Sequence, residues 1–419
     1  MLGESAQSHT PEAPKSPYDI RVELLKNGFA LVLHKDARPV SRMEFYRQML
    51  HVGDSPIEVA RVGGMDDRDH CARQFLETGN TEHFDALTKL AHNFLRENDV
   101  TAVIVHGNRF LYERAGYVPC FYHPLSTIAT EYALAARKQH TVRHFRNEDR
   151  AQIESLAKRF LRYHPRILSH REIPDENILV AAGQRDEMLA YARVTVQSES
   201  PWDAHWGKVY VTEAAGAGPA SMETLLRAIA EIAQEHNVPE LFFPFSPFHP
   251  FSRLCMQLGG TSVAVGPVND PARNEDMAII LDLSGFVKAL CPEFERRLQH
   301  ASQTSWRGSI YLRTEDDLTN VDIDGPDVQA GSVHDGATMA TMLSVPRKML
   351  TRVLMGFYSF QDIRDEPAVS YSIRSRETLN ALFPSILPAS QGDFSVFRPQ
   401  FAPRMKPGDA ALKVIRGGA

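Results

Sequence analysis

The residues with the clearest capacity for chemistry lie together in Val103-Ile-Val-His-Gly-Asn-Arg-Phe-Leu-Tyr-Glu-Arg-Ala-Gly-Tyr117, where a buried-type strand runs into a glycine, an aromatic-rich turn and a Gly-Tyr turn. Tyr117 carries a hydroxyl that can give a proton to a departing group. An aromatic after a glycine turn also often just covers a core, with its hydroxyl in water. Tyr112 reads as a packing residue, and His106 as a polar side chain near the end of the strand.

Upstream stands Met65-Asp-Asp-Arg-Asp-His-Cys-Ala-Arg-Gln-Phe-Leu-Glu-Thr-Gly-Asn-Thr81. Asp66, Asp67 and Asp69 can attract a cationic amine, or form a solvated loop, the commoner fate of a charge run. They would repel a polyphosphate, and Arg68 and Arg73 offset only part of that charge. Further along, Gly216 and Gly218 in Glu213-Ala-Ala-Gly-Ala-Gly-Pro-Ala-Ser221 have the spacing of a phosphate cradle. Pro219 lacks a donor there, and a plain turn before a helix is the ordinary reading.

The elements that must hold these residues follow from periodicity. Strands are expected at 28–34, 40–52 and 57–62, then a helix over 82–98 with Thr81 as N-cap. A strand at 101–105 and a short helix at 110–115 close this first series. A similar order begins again: strand 141–146, helix 148–163, hairpin 178–182 with 188–197, and strand 207–214. A helix capped by Ser221, a strand at 240–245 and a helix at 250–258 stopped by Gly259-Gly260 complete it. From residue 279 the pattern changes to α+β, with a helix over 282–301 and strands at 306–313 and 318–323. A helix with Pro346 in its first turn and a short helix over 377–383 follow. Met339, Met342, Met349, Leu350, Leu354, Met355, Phe357 and Phe360 fill a core or line an apolar tunnel, core being the ordinary reading.

The whole chain is long enough for more than one core, at 419 residues. Its 43% apolar and 23% charged content is that of a globular protein, and a net charge of −6 gives no basic footprint for nucleic acid. No stretch has the length of a membrane span and the start lacks the pattern of a signal peptide, so a cytoplasmic protein with no membrane partner is expected. Cys71, Cys120, Cys255 and Cys291 stand far apart with no histidine at ligand spacing. Reduced buried thiols and no metal are expected.

The order of parts resembles the bacterial family of the enhanced intracellular survival acetyltransferases. The resemblance rests on Val62-Gly63-Gly64 at a strand end, Phe110-Leu-Tyr-Glu-Arg-Ala-Gly-Tyr117, Glu213-Ala-Ala with Leu225-Leu226, and Leu382-Phe383-Pro384 with Asp393-Phe394. It implies two fused mixed α/β domains of the GNAT superfamily and a sterol-carrier-protein-like α+β domain. The corresponding boundaries are a tail at 1–17, domains at 18–136, 141–285 and 286–396, and a C-terminal tail at 397–419. It also implies N-acyl transfer from acetyl-coenzyme A or another acyl-coenzyme A to an amine-bearing small molecule, by a protein that forms homo-oligomers. Tyr117 then corresponds to the general acid, and Ala419 supplies a terminal carboxylate as base. Met65, Arg73, Gly107, Asn108 and Tyr112 would face the cofactor, and Asp66, Asp67 and His106 the acceptor.

Two features depart from that family. The small-residue phosphate loop expected before residue 82 is replaced by bulky and acidic residues, and only 18–26 precede the strand at residue 28, where a strand and two covering helices are expected. Two other readings therefore stand beside acyl transfer: a scaffold that has given up coenzyme A, and an enzyme of different chemistry that uses an acidic residue near His106.

Overall fold

The computed structural model describes residues 18–25, 28–53, 55–63, 80–161, 177–197, 208–267, 274–302, 306–332 and 341–386. Met65, Asp66, Asp67, Arg73 and Ala419, and with them the acidic segment, lie outside the described residues.

The chain opens with an antiparallel meander of β1 (Tyr18–Leu25), β2 (Gly28–Lys35), β3 (Arg38–Val52) and β4 (Ser55–Val62). No covering helices separate β1 from β2, as the short opening predicted. After β4 come α1 (Glu82–Glu97), β5 (Ala102–Asn108), α2 (Arg109–Arg114) and the two-residue β6 (Val118–Pro119). The apolar stripe of α1 packs Phe84, Leu87, Ala91 and Leu95 onto the sheet with Val103, Val105, Tyr112 and Tyr117. Thr81 stands at the start of α1 but makes no side-chain cap; its hydroxyl donates to Asp85 at 2.7 Å.

The second series holds β7 (His123–Ala129), α3 (Thr130–Ala133), β8 (Thr141–His144), α4 (Arg150–Leu161), β9 (Ile178–Ala182), β10 (Met188–Gln197), β11 (Lys208–Gly216), α5 (Pro219–Glu235), β12 (Glu240–Phe243), α6 (Pro250–Gln257) and β13 (Thr261–Val265). The cap of α5 is Gly218, not Ser221. Pro219 takes the first helical position, as its fixed φ favours, and the Ser221 hydroxyl donates back to the Gly218 carbonyl at 2.9 Å.

Next comes β14 (Asn274–Ile280), and this strand returns to the first sheet. The first sheet has the order β1-β2-β3-β4-β5-β14-β6 and the second β13-β7-β12-β11-β10-β9-β8. Each sheet is thus completed by a strand from the other series: β7, from within 18–136, lies between β12 and β13, and β14, from within 141–285, lies between β5 and β6. Neither strand was anticipated from the sequence. In β14 the pattern was hidden by Glu275 and Asp276, acidic residues that are buried in a strand paired on both sides.

The last part contains α7 (Leu283–His300), β15 (Arg307–Arg313), β16 (Leu318–Asp324), β17 (Asp327–Ser332), β18 (Met342–Ser344), α8 (Arg347–Leu354), α9 (Phe360–Ile363), β19 (Ser370–Tyr371) and α10 (Arg376–Leu382). Its five-stranded sheet has the order β17-β16-β15-β18-β19. Leu350, Leu354, Met355, Phe357 and Phe360 are core residues, and Met349 packs against them. The same continuous core includes Ala102, Ile104, Val118, Ala278 and Ile280. So α7 and the third sheet cover the face of the first sheet opposite α1.

Candidate active site

Strands β4 and β5 run parallel, and their pairing is short: Ala60 opposes Val103 and Arg61 opposes Ile104. Beyond these pairs the strands part, while β5 continues to Asn108 along β14. Alternation along β5 turns the backbone N–H of His106 toward β4, past the last bridge and into the gap. The second sheet repeats the arrangement. There β11 and β12 pair in parallel at Val209 with Leu241 and Tyr210 with Phe242, and β11 then runs on to Gly216.

His106 stands at the diverging end of β5, directly opposite Asp276 in the β5–β14 register. Its Nδ1 lies 3.0 Å from the Asp276 Oδ1; the imidazole is 20% exposed and the carboxylate is buried. A carboxylate only accepts hydrogen bonds, so this contact makes Nδ1 a protonated nitrogen of the ring. A carboxylate near His106 was among the expectations from sequence. Its identity was not, because Asp276 is 170 positions away.

The α7-facing side of the sheet carries further polar groups beside the gap. Cross-strand register places Tyr46 opposite Arg61 and Gln48 opposite Val59. The Tyr46 hydroxyl donates to Glu44 at 2.8 Å. Gly63 closes β4 by donating its N–H to the Glu44 carbonyl at 2.7 Å. A Cβ there would fall 2.6 Å from the Tyr46 ring, so only glycine lets the ring lie over the strand end.

Tyr117 occupies the opposite face. It is fully buried, with its hydroxyl 3.1 Å from His92 Nε2 and its ring edge-on to Tyr112 at 5.2 Å between centroids. Tyr112 is in turn edge-on to Phe84 at 5.1 Å. Burial pushes the Tyr117 hydroxyl well above the usual tyrosine range. Burial, with a smaller contribution from the charge of Arg96, lowers His92 to about 4 and keeps its ring neutral. Asn108 is also engaged: its side-chain oxygen accepts from the Leu111 N–H at 3.2 Å and caps α2. Gly107 pairs with Glu275. The structure thus brings His106 and Asp276 together and sets Tyr112 and Tyr117 apart from them, across the sheet.

The first turn of α1 is rich in carboxylates, Glu82 and Asp85. Glu82 accepts a hydrogen bond from Tyr18 and pairs with Lys35 at 3.3 Å, and these contacts hold it below the usual carboxylate range. Asp85 pairs with Arg114 at 3.0 Å. In the second sheet, Glu213 accepts from the Tyr191 hydroxyl at 2.5 Å and from Arg193 at 2.9 Å. Gly216 there packs against Ala190 and Met222, whereas a Cβ on Gly218 would meet open space.

With splayed parallel strands and helices at their ends in both sheets, the architecture can be matched to solved structures. A GCN5-related N-acetyltransferase from Anabaena variabilis ATCC 29413 superposes with a TM-score of 0.64 at 11% identity, covering 86% of this chain and 89% of that one. The chain has a tandem GNAT-like fold. A GCN5-related N-acetyltransferase from Kribbella flavida gives 0.61 at 12% identity, with 86% of each chain covered. Eis1 from Mycobacterium abscessus gives 0.53 at 14% identity, covering 89% of this chain and 91% of that one. No protein-family model and no curated protein matches the sequence. Among the described residues there is no group of three metal-ligating side chains, and no helix is long and apolar enough to cross a membrane. Cys120, Cys255 and Cys291 are free and buried.

Proposed function

We propose that the protein is an acyl-coenzyme A dependent N-acyltransferase that acts on an amine-bearing small molecule, with its reaction centre at the gap between β4 and β5. The observation that carries this reading is the His106–Asp276 pair at the mouth of that gap. Nε2 of His106 takes a proton from the acceptor amine as its nitrogen attacks the thioester carbonyl. A C–N bond forms, the carbonyl electrons move onto oxygen, and their return breaks the C–S bond and releases a thiolate. The proton held by His106 can then pass to that thiolate, while Asp276 stabilises the intervening imidazolium. A backbone N–H directed into the gap is suited to the transient oxyanion. The architecture fits an acyl-coenzyme A threaded between the diverging strands.

This reading gives the acid–base work to His106, whose imidazole reaches solvent. Tyr117, the general acid implied by the family resemblance, instead has its hydroxyl enclosed against His92. Met65 and Arg73 toward the cofactor, Asp66 and Asp67 toward the acceptor, and Ala419 as a second base remain part of the proposal on the strength of that resemblance. So do the sterol-carrier-like character of the third part, the homo-oligomer and the division at 18–136, 141–285 and 286–396. Titration calorimetry with acetyl-coenzyme A is expected to show saturable binding at micromolar to millimolar ligand; absence of heat at millimolar ligand overturns the reading.

The acidic first turn of α1 favours a second reading, a GNAT-derived scaffold without coenzyme A. Under it, His106→Gln keeps the biological phenotype of the native host; under acyl transfer it does not.

A further inference from the structure

We infer that α8, from the third part of the chain, sets the geometry of the His106–Asp276 pair, and that Arg352 is a positioning residue for it. The inference rests on the acid–base reading of that pair.

Asp276 sits on β14, a strand that belongs to the first sheet by pairing but arrives from the end of the second series. Its position depends on what holds β14 and β6, and α8 holds both. At one end of the helix, the Arg347 guanidinium donates to the carbonyls of Ile280 and Leu281 at 3.2 and 3.3 Å, at and just past the end of β14. The same side chain pairs with Asp316 at 2.6 Å and Asp317 at 2.8 Å, which ties it to the turn before β16. At the other end, Arg352 Nε donates to the Pro119 carbonyl at 3.1 Å.

Pro119 is the β6 partner of Met277, the residue next to Asp276. Proline supplies no N–H to the ladder, so the Arg352 donor adds to the pairing with β14 and the burial of Val118 in fixing the two-residue strand. Just beyond it lies Cys120, buried on the α7-facing side of the sheet with Ala278. Its thiol feels the Asp276 carboxylate and the Arg352 guanidinium with opposite sign. The Arg352 guanidinium thus holds β6, the pairing partner of the strand that carries Asp276. Lys348 adds a third tie, from its ammonium to the Glu113 carbonyl at 3.1 Å.

The test compares Arg352→Met, Arg352→Lys and His106→Gln in the full-length protein. Ring ¹⁵N shifts of His106 report its tautomer whether or not the protein is active, and the spectrum lacking in His106→Gln assigns them. In the unaltered protein His106 is expected as the Nδ1–H form. Arg352→Met should mix the tautomers and lower kcat for acyl transfer from acetyl-coenzyme A by roughly tenfold to a hundredfold, with KM little changed. Arg352→Lys, which can still donate to Pro119, should recover most of both.

A folded Arg352→Met protein with unaltered His106 shifts overturns the inference, as does an Arg352→Lys protein as disturbed as Arg352→Met. A tautomer change in a protein that transfers no acyl group supports the coupling and refutes the proposed reaction, so the two failures are distinguishable.

Discussion

At the scale of single residues, the proposed chemistry turns on which hydroxyl or imidazole handles protons. His106→Gln and Asp276→Asn should each lower kcat by roughly a hundredfold or more, the usual contribution of a positioned acid or base. Steady-state rates with acetyl-coenzyme A and a panel of primary amines check this. Tyr117→Phe should leave kcat within about twofold. It should instead cost about 1–3 kcal/mol in urea unfolding, because His92 loses its buried partner. A Tyr117→Phe enzyme that folds normally but is inactive would return the acid role to Tyr117.

His92 also gives a pH signature. Its native value of about 4 lies below the 6.5 of an unperturbed imidazole. Above about pH 6.5 the ring is neutral in both states and the native state keeps its full advantage. As the pH falls through 6.5 toward 4, the unfolded chain binds a proton that the native chain refuses. On the order of 3 kcal/mol of stability is then lost across that window. Urea midpoints between pH 7 and 4.5 should fall less steeply in His92→Gln; equal slopes would contradict this origin.

At the scale of elements, the sequence was legible wherever one face was apolar and the other polar. The α1 stripe could be read in this way, β9 by its continuous apolar run Ile178–Ala182, and the end of the helix at 250–258 by Gly259. β14 could not, because a central strand is recognised by continuous apolar character and Asn274-Glu-Asp begins this one. One of the residues that concealed the strand, Asp276, is the one to which the proposed reaction gives a chemical role, a conflict expected where function overrides local preference. Tyr117 was legible as a core aromatic but not as a partner of His92, since that contact needs the register of α1 over the sheet.

The α7 element also carries a buried ion cluster. Glu293, fully buried, pairs with Arg296 at 2.6 Å and Arg297 at 2.7 Å, and Arg297 donates to the Leu382 carbonyl at 2.6 Å. Gly53, at φ +61°, leaves space for this carboxylate at the β3–β4 turn: a Cβ would fall 2.1 Å from the Glu293 carboxyl carbon. Glu293→Ala should therefore destabilise by about 3–5 kcal/mol, by leaving the Arg297 charge buried without its partner. Thermal or urea unfolding checks the value, and a change within 0.5 kcal/mol, at the level of roughly a surface substitution, would contradict it.

At the scale of the whole molecule, the exchange of β7 and β14 interlocks the first two sheets. A fragment ending at residue 137 would lack β14 between β5 and β6 and would carry β7 without its partners. It should not fold alone. Mixing it with a fragment of residues 138–419 should restore cooperative unfolding; a stable, cooperatively unfolding isolated fragment would show that the exchange is dispensable. The repeated order of elements was visible in the sequence, but the exchange was not. Periodicity reports which face of a strand is buried and carries no information on which sheet it joins.

The dyad depends on the same exchange, since His106 and Asp276 come from strands on either side of the entire second series. The most direct test is single-turnover transfer from radiolabelled acetyl-coenzyme A to a panel of primary amines, with unaltered protein and His106→Gln side by side. The account predicts acylated amine from the unaltered protein and a rate lower by roughly a hundredfold or more from His106→Gln. Equal rates from the two proteins, or no acylated amine from either, would contradict it.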